Sequence, residues 1–492
     1  MPAPSGKDGA VQQEYDLIVI GAGPTGENVA ARAVRGGCRA AVVEHDLVGG
    51  ECSYWACMPS KALLRPPAVL RAARGVGGAR EAVTGSLDVG AVLARRDGFT
   101  SGWHDDGQVE SLAGAGIDLV RGRGRLAGPR RVEVTSSDAT VTTLHARHAV
   151  AVCVGTVAAI PPIPGLAEAR AWTSREATAA TSVPRRLAIL GGGVVACEMA
   201  TAYAALGSQV TLVERNSWLL AGVEPFAGRM VAAALAGAGV DVRLRCQAER
   251  VERAGGGTVR IALDTGGSVE ADEVLAALGR APATADLGLE TVGLEPGGWI
   301  EEVDESMRVA GMEGGWLYAA GDVNHRALLT HMGKYQARAC GDAIAARARA
   351  GGSGRGAGGA EEWGPWGRFS ATADRDAVPQ VIFTNPEVAA VGLTEAQARD
   401  EGVPLRVVSV PIDVAGASLA ADGYQGRAQI VIDTDRQVIV GATFVGAGVG
   451  ELLHSATVAL VGQVPLARLW HAVASFPTIS EVWLRLLEAS GL

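Results

Sequence analysis

The hydrophobic pattern repeats one order in two stretches of the chain: a short apolar run, a glycine-rich turn, a helix-forming run and a second apolar run that ends at a glutamate. The first stretch begins with residues 17–20 and ends at Glu44, and the second begins with residues 187–190 and ends at Glu214. Uninterrupted apolar runs of this length are typical of strands buried on both faces of a parallel sheet. The pattern therefore predicts two strand-helix-strand units.

The turns of both units contain closely spaced glycines. These are Gly21, Gly23 and Gly26 in the first unit and Gly191 and Gly193 in the second, where Ala196 takes the third place. Such glycines let the backbone approach a pyrophosphate at a helix N-terminus, and an acid about 20 residues further on binds the ribose hydroxyls. Glu44 and Glu214 each lie 23 positions after the first glycine of their unit. Because two chance matches with the same offset are improbable, the sequence predicts two dinucleotide sites.

Cys52 and Cys57 follow the first unit directly, within residues 49–61. Their spacing differs from the two-residue gap usual in zinc sites, and no second pair of cysteines or histidines follows to complete four ligands, so we expect no metal. Taken alone, the two cysteines are equally well read as buried core residues. Pro59 is tolerated in the first turn of a helix, where a nearby Cys57 thiolate would be stabilised. The position after a nucleotide unit favours a redox centre.

Composition excludes several classes of function. The 492 residues suggest three domains, and a formal charge of −9 leaves no basic face for nucleic acid. Residues 1–13 are polar and lack the apolar core of a signal peptide. The longest uncharged stretch, residues 149–167, contains three prolines and is typical of a strand and linker rather than of a membrane span. We therefore expect a cytoplasmic protein with no membrane partner.

In combination, these motifs resemble the pyridine nucleotide-disulfide oxidoreductases, the family of dihydrolipoamide dehydrogenase, glutathione reductase and mercuric reductase. The resemblance runs from about residue 15 to about residue 487, and it includes residues 277–282 and 317–322. It implies an α/β fold with two Rossmann-like domains, for FAD and NAD(P), and a C-terminal α+β dimerisation domain. The expected boundaries are 1–160 for the first part of the FAD domain, 161–289 for the NAD(P) domain, 290–350 for the return segment of the FAD domain, 351–377 for a glycine-rich linker and 378–492 for the dimerisation domain.

The resemblance also implies roles for individual residues. Cys57 would face the flavin and Cys52 would exchange with substrate, so that electrons pass from reduced pyridine nucleotide to flavin and then to the disulfide. Lys61 would contact the flavin and pair with Glu198, although the ordinary role of such a glutamate is a solvated helix carboxylate. Asp322 would bind the ribityl chain. The remaining positions expected to bind cofactor are Gly50, Gly155 and Gly279.

The choice between NADH and NADPH depends on Glu214. A carboxylate there accepts hydrogen bonds from a free ribose diol and repels a 2'-phosphate, which favours NADH. Arg215 and Ala196 are both compatible with NADPH, which therefore stays open.

The C-terminal part carries one departure from the family. Family members usually have a His-Pro-Thr segment whose histidine reaches the partner subunit's active site as acid-base, and we expect a homodimer here. This chain has Phe476 at that position, five residues before Glu481. A phenyl ring carries no proton, and acid-base help is typically worth about a hundredfold to ten-thousandfold. His471 and His454 are possible substitutes, although each is more simply a surface or core histidine.

Three kinds of function remain open after this substitution. The enzyme could act on a disulfide or dithiol whose thiols have low pKa values, or it could be a dithiol oxidase or reductase for a specialised metabolite that packs against Phe476. The acceptor could be a quinone reduced at the flavin, as in a diaphorase. A flavoprotein that binds or senses with little turnover is the third reading. Mercuric reductase and the large thioredoxin reductases use further C-terminal cysteines. Because no cysteine follows Cys340, this chain lacks the groups that both activities require.

Overall fold

The computed structural model describes residues 13–255, 257–351 and 356–492. The predictions made for residues 1–12 and for residues 352–355 of the glycine-rich stretch lie outside these ranges. The chain forms two compact units, each assembled from separated segments. Unit 1 contains residues up to 54, residues 101–157 and residues 280–375, and unit 2 contains residues 55–100, 158–279 and 376–492. Among the described helices, none combines the length and apolarity that a bilayer span requires.

The strands run from residue 13 to residue 446. They are β1 (Gln13–Ile20), β2 (Ala40–Glu44), β3 (Asp118–Arg121), β4 (Arg123–Leu126), β5 (Arg131–Thr135), β6 (Val141–Val152), β7 (Thr156–Ala158), β8 (Arg186–Leu190), β9 (Gln209–Glu214), β10 (Asp241–Leu244), β11 (Ala248–Arg253), β12 (Val259–Leu263), β13 (Ser268–Ala271), β14 (Glu273–Ala276), β15 (Arg280–Pro282), β16 (Leu317–Ala319), β17 (Pro379–Ile382), β18 (Glu387–Gly392), β19 (Leu405–Pro411), β20 (Arg427–Asp433) and β21 (Val438–Gly446).

The helices range from single turns to five turns. They are α1 (Pro24–Arg35), α2 (Gly50–Tyr54), α3 (Cys57–Arg74), α4 (Val89–Phe99), α5 (Asp106–Gly114), α6 (Ser174–Ala179), α7 (Val194–Ala205), α8 (Pro225–Gly237), α9 (Thr330–Arg349), α10 (Ala373–Asp376), α11 (Glu395–Asp400), α12 (Ala415–Ala420), α13 (Val449–Val461), α14 (Leu466–Leu469) and α15 (Val482–Ala489).

Unit 1 is organised around one mixed sheet. Its strand order is β3-β2-β1-β6-β5-β4, and β16 also pairs with β6. The β1 pairings with β2 and β6 are parallel, as are β2 with β3 and β16 with β6, whereas β4, β5 and β6 pair antiparallel. Residues 17–20 and the whole of β2 are buried, as expected for central parallel strands. The first predicted strand-helix-strand unit is therefore β1-α1-β2.

Unit 2 contains three further sheets. The parallel sheet β10-β9-β8-β14 holds the second predicted strand-helix-strand unit, β8-α7-β9. The strands β11, β12 and β13 form a small antiparallel sheet. The C-terminal sheet, β17-β18-β21-β20-β19, is antiparallel throughout. The predicted fold class, α/β with two Rossmann-like units and an α+β C-terminal part, is confirmed.

The described residues between α9 and β17 carry structure that composition alone does not indicate. Phe369 is buried against α9 and lies 4.4 Å, centroid to centroid, from the Trp363 ring. The Arg347 guanidinium lies over the same indole ring at 4.6 Å. This segment therefore packs on α9 in unit 1. The domain boundaries given above stay predictions.

Candidate functional site

The turn between β1 and α1 has tight backbone packing on one side and open space on the other. A Cβ at Gly26 would lie 1.9 Å from the Gly21 carbonyl oxygen, and Gly21 itself has φ +101°. A Cβ at Gly23 would meet nothing within 4 Å, and Gly23 gives α1 no side-chain cap. Gly21 and Gly26 allow the turn to pack tightly. The backbone at Gly23 is open to an anion at the helix N-terminus.

Glu44 ends β2 beside this turn and is buried. Its Oε2 accepts from the Ala22 backbone N–H at 2.8 Å, and its Oε1 accepts from the Asp46 N–H at 2.8 Å. Burial acts to raise the pKa of Glu44, but hydrogen bonds from His45, Asp46 and Ala22 outweigh it and leave this pKa below its ordinary value. An ionised, oriented carboxylate is what a ribose diol requires. The turn and Glu44 together fit the adenosine half of FAD.

A chain of hydrogen bonds leads to Asp322 at the end of β16. Arg280 donates from Nη2 to Glu51 Oε2 at 2.6 Å and to the Thr156 carbonyl at 2.7 Å, and from Nε to the Thr156 hydroxyl. Because Thr156 Oγ1 accepts from Arg280, its own proton is directed to Asp322 Oδ2, at 2.8 Å. Burial raises the pKa of Asp322, opposed by Thr156 and Arg280 and assisted by the Glu51 charge. Gly155, with φ +69°, precedes Thr156.

Gly50 and Cys52 lie in α2, next to the first nucleotide turn. A Cβ at Gly50 would lie 2.9 Å from the Cα of Gly23, and Gly50 has φ +56°. The Gly49 N–H donates to the Ala22 carbonyl at 2.7 Å. Cys52 is half-buried. The short helix that carries this cysteine is thus joined by its backbone to the turn expected to bind FAD.

In unit 2, Cys57 is the first residue of α3 and is half-buried. One turn later, Lys61 Nζ lies 2.8 Å from Glu198 Oε2 on α7. The Glu198 side chain is 4% exposed, and its other oxygen accepts from the Phe383 N–H at 3.0 Å. The Lys61 ammonium also lies 5.1 Å from the centre of the Phe383 ring. Glu198 is therefore held from two sides, with its charge balanced by Lys61.

The residues before Cys57 are fixed on α6. The Thr178 hydroxyl lies 2.9 Å from both the Trp55 and the Ser174 carbonyl oxygens, between which its proton is shared, and the Arg175 guanidinium lies 3.9 Å from the centre of the Trp55 ring. Arg96, which is buried, donates to the Thr178 and Ala180 carbonyls at the end of α6. This anchoring fixes where α3 begins.

The turn between β8 and α7 repeats the geometry of the first turn. A Cβ at Gly191 would lie 2.3 Å from the Ala277 carbonyl oxygen, whereas one at Gly193 would meet nothing within 4 Å. Glu214 is buried and accepts from the Asn216 N–H at 2.6 Å, and Arg215 is exposed. Gly279 lies between β14 and β15 and has φ +126°. These residues fit a second dinucleotide.

The C-terminal positions are mostly at the surface. Phe476 is 77% exposed, and His454 and His471 are exposed as well. Glu481 Oε2 accepts from the Gly416 N–H at 3.2 Å, so this carboxylate anchors α12. A Cβ at Gly416 would lie 2.1 Å from the Thr478 carbonyl carbon, which shows how closely α12 meets this segment.

The structure brings together two groups of predicted residues. In unit 1 these are Gly21, Gly23, Gly26, Glu44, Gly50, Gly155 and Asp322, and in unit 2 they are Lys61 with Glu198 and Gly191 with Gly193 and Glu214. Sequence reasoning missed Glu51, Thr156, Arg280 and Phe383. The first three stand within or beside segments already singled out, but Phe383 is 185 positions from Glu198 and gave no sequence signal. The described residues contain no group of three or more side chains suited to a metal ion.

Two family models match the chain. The model described as pyridine nucleotide-disulphide oxidoreductase matches residues 15–340, and the one described as its dimerisation domain matches residues 378–486. Together they span both nucleotide turns, the cysteine pair and the C-terminal sheet.

Curated relatives match over nearly the whole chain. A dihydrolipoyl dehydrogenase of Thermus scotoductus is 32% identical over 96% of this chain and 97% of its own length. A glutathione reductase of Burkholderia cepacia is 29% identical over 96% of this chain and 98% of its own. A mercuric reductase of Staphylococcus aureus is 28% identical over 95% of this chain and 81% of its own.

Among solved structures, the HOCl-induced flavoprotein disulfide reductase RclA of Escherichia coli has the same fold. Its TM-score is 0.78 at 24% identity, and the match covers 96% of this chain and 99% of the RclA chain. The similarity of fold agrees with the sequence matches to named enzymes. The chain therefore belongs to the pyridine nucleotide-disulphide oxidoreductases, a family of FAD-dependent enzymes.

Proposed function

We propose that this protein is a cytoplasmic, homodimeric enzyme that reduces a disulfide substrate with NADH, using FAD and a redox-active pair formed by Cys52 and Cys57. The observation that carries the proposal is the link between α3 and α7. The helix that begins at Cys57 is tied by Lys61 to Glu198, on the helix that begins at the second nucleotide turn. One ion pair thus joins the helix of the redox thiol to the helix expected to bind pyridine nucleotide.

The local structure suits Cys57 to its role. It opens an 18-residue helix whose preceding residue, Ala56, supplies no side-chain cap. The positive end of the helix stabilises a thiolate there. Lys61, one turn along the same helix, forms a balanced charge pair with Glu198 of α7, and this pair sets the electrostatics beside the reacting groups.

The overall reaction converts one disulfide to two thiols. NADH and one proton supply the two electrons and two hydrogens, and NAD+ is the other product. When bound, FAD supplies the two-electron carrier between the nucleotide and the cysteine pair. The Cys52 thiolate attacks one sulfur of the substrate and releases the other as a thiolate, which takes up a proton. Cys57 then attacks the Cys52 sulfur and releases the second thiol, which restores the protein disulfide.

Phe476 limits the class of substrate. No proton can be held at a phenyl ring, so a released thiolate must leave without help from this position. Thiols of low pKa leave most readily. We propose that the substrate is a small disulfide whose thiols have low pKa values. Its apolar part packs against the exposed Phe476 ring.

Glu214 supports NADH as the reductant. The Asn216 N–H orients this buried carboxylate at the end of β9, where it accepts from a ribose diol and repels a 2'-phosphate. Arg215, exposed beside it, is the residue that would favour NADPH.

The first experiment is an anaerobic titration of the purified protein with NADH and, separately, with NADPH. We expect a long-wavelength charge-transfer absorption after two electrons, reached at lower concentrations of NADH than of NADPH. Cys57→Ser should lack this band and Cys52→Ser should lose disulfide turnover, while Cys246→Ser serves as a control at a buried cysteine.

Two outcomes would contradict the proposal. Flavin bleaching with no long-wavelength band would mean that the cysteine pair takes no electrons. Quinone reduction that persists unchanged in Cys52→Ser, with no turnover of any disulfide, would identify a diaphorase instead.

A further inference from the structure

Gln336 lies at the centre of a buried hydrogen-bond network in unit 1. It is on α9 and is completely buried. Its Oε1 accepts from the Gly321 N–H at 2.8 Å and from Asn324 Nδ2 at 2.9 Å, while its Nε2 donates to Asp374 Oδ2 at 2.9 Å. Since two donors face one end of the amide and a carboxylate faces the other, the orientation of the side chain is fixed.

The Gly321–Asn324 turn is the one that carries Asp322. Gly321 has φ +81°, and a Cβ there would lie 2.7 Å from Thr25 Oγ1 on α1. The turn is thus wedged against α1 on one side and anchored by Gln336 on the other. With the backbone of Gly321 held, the Asp322 carboxylate is placed where it accepts from Thr156.

Asp374 anchors the far side of the network. Its side chain is fully buried, and Arg326 Nη1 donates to the same oxygen at 3.3 Å. Arg326 also donates to the Val303 carbonyl at 2.7 Å, which ties it to the preceding loop. The negative charge of Asp374 polarises the Gln336 amide and strengthens its oxygen as an acceptor for the Gly321 N–H.

A buried polar network of this kind is expensive, since an apolar side chain of similar volume fills the same space with no desolvation cost. Gln336 joins the turn of Asp322 to a residue 38 positions further on, beyond the glycine-rich stretch. We infer that Gln336 and Asp374 are positioning residues, which act on FAD through Asp322. The inference rests on the proposed contact between Asp322 and the flavin.

The test measures the dissociation constant of FAD by equilibrium dialysis of the full-length protein. We expect Gln336→Met to raise it about tenfold. Asp374→Asn keeps an oxygen that accepts from Gln336, so it should stay within about twofold of wild type, whereas Asp374→Leu should match Gln336→Met. Gln429→Leu, at another buried glutamine, is the matched control and should leave the constant unchanged.

A double-variant cycle distinguishes positioning from a general loss of structure. In the Asp322→Asn background, Gln336→Met should have no further effect on FAD affinity, because the group it positions no longer acts. An equal tenfold loss in both backgrounds would overturn the positioning role, as would wild-type affinity in Gln336→Met. If Gln336→Met fails to fold, Asp374→Leu replaces it in the same cycle.

The outcomes separate this inference from the proposed function. Wild-type FAD affinity in Asp322→Asn alone would overturn the Asp322 contact and this inference with it. Loss of affinity in Asp322→Asn, with none in Gln336→Met or Asp374→Leu, would overturn the positioning role alone.

Discussion

At the residue scale, the Lys61–Glu198 pair combines a nearly buried carboxylate with a partly exposed ammonium. The Lys61 side chain is 35% exposed and that of Glu198 is 4% exposed. Removing the cation leaves a buried charge with one remaining backbone donor, from Phe383. The free-energy cost of leaving the Glu198 charge unpaired is lowered by the water that reaches the Lys61 position.

We expect Lys61→Met to lower the free energy of unfolding by about 2 kcal/mol and to slow reduction by NADH by roughly tenfold. Glu198→Gln should slow reduction similarly but destabilise less, because its amide oxygen still accepts from Phe383. Stopped-flow absorbance and chemical denaturation measure the two effects. Glu273→Gln, which breaks an Arg253 ion pair of 2.7 Å in the same unit, should leave the rate of reduction unchanged.

Phe476→His restores a group that can carry a proton. We expect it to raise kcat for a small disulfide such as oxidised lipoamide by about tenfold, less than the usual benefit of acid-base catalysis, because Glu481 is already bonded to Gly416. The gain should follow the ordinary histidine pKa of about 6.5. Steady-state rates from pH 5.5 to 8.5 measure it, with Phe476→Leu as the control. A rate equal to that of Phe476→Leu would show that this position takes no part in proton transfer.

Glu27, in the first turn of α1, is half-buried, and the desolvation of its carboxylate raises its pKa to about 7; the Lys334 charge opposes the rise and the Glu44 charge adds to it. A carboxyl group whose folded pKa lies above its unfolded value stabilises the protein at low pH, and this contribution is lost as the pH rises through 7. Relative to Glu27→Gln, the wild type should therefore lose about 2 kcal/mol of stability between pH 5 and pH 8.5. Urea denaturation of both proteins at several pH values measures the difference. Parallel stability curves would contradict the assignment.

At the element scale, each nucleotide turn separates glycines required by the fold from glycines open to a ligand. Gly26 and Gly191 are crowded by backbone, whereas Gly23 and Gly193 face open space. Equivalent substitutions in one turn should therefore have different consequences.

Gly26→Ala should destabilise the protein by about 2 kcal/mol or more, because its Cβ would meet the Gly21 carbonyl. Gly23→Ala should leave the melting temperature of the FAD-free protein unchanged and weaken FAD binding at least tenfold. Gly193→Ala should retain FAD and raise KM for NADH. Flavin content, calorimetry and steady-state kinetics measure these effects; equal destabilisation by Gly23→Ala and Gly26→Ala would contradict the argument.

Sequence patterns predicted the elements that depend on local residues. Both strand-helix-strand units, and a helix opened by residues 58–60 that is observed as α3 from Cys57, followed from residues within a short span, where glycine spacing and Pro59 act locally. The pairing of Lys61 with Glu198 was expected from the family resemblance, and not from the pattern. Nothing in the glycine-rich composition indicated that Phe369 and Asp374 would be buried against α9. Those contacts depend on where a distant helix packs.

At the scale of the whole molecule, apolar side chains remain exposed on the C-terminal part of unit 2. Val473 is 89% exposed and Phe476 lies three residues further on, with Trp470 and Val458 also exposed. Exposed apolar side chains concentrated in one part of a chain are typical of an interface between chains. We propose that it contributes to the homodimer.

Val473→Glu should shift the mass in light scattering from twice the 50.3 kDa chain mass toward a single chain, because it places a charge in an apolar interface. Disulfide turnover should fall with dimer content, while FAD stays bound. Val141→Glu, at an exposed valine of unit 1, is the control and should leave the mass unchanged. A monomeric wild-type protein with full disulfide turnover would contradict the proposal.

The sequence by itself determined the two glycine-rich turns and the glutamates that end the strands after them, since each motif lies within a few tens of residues and follows from local backbone requirements; the redox pairing of Cys52 with Cys57 stays a prediction. Tertiary structure alone decided that Phe383 would fix Glu198, that Arg280 would direct the Thr156 proton to Asp322, and that Asp374 would reach the same turn through Gln336. Each of these contacts joins residues far apart in the chain. Their partners are chosen by the packing of whole elements, which no local pattern of apolar and polar positions specifies.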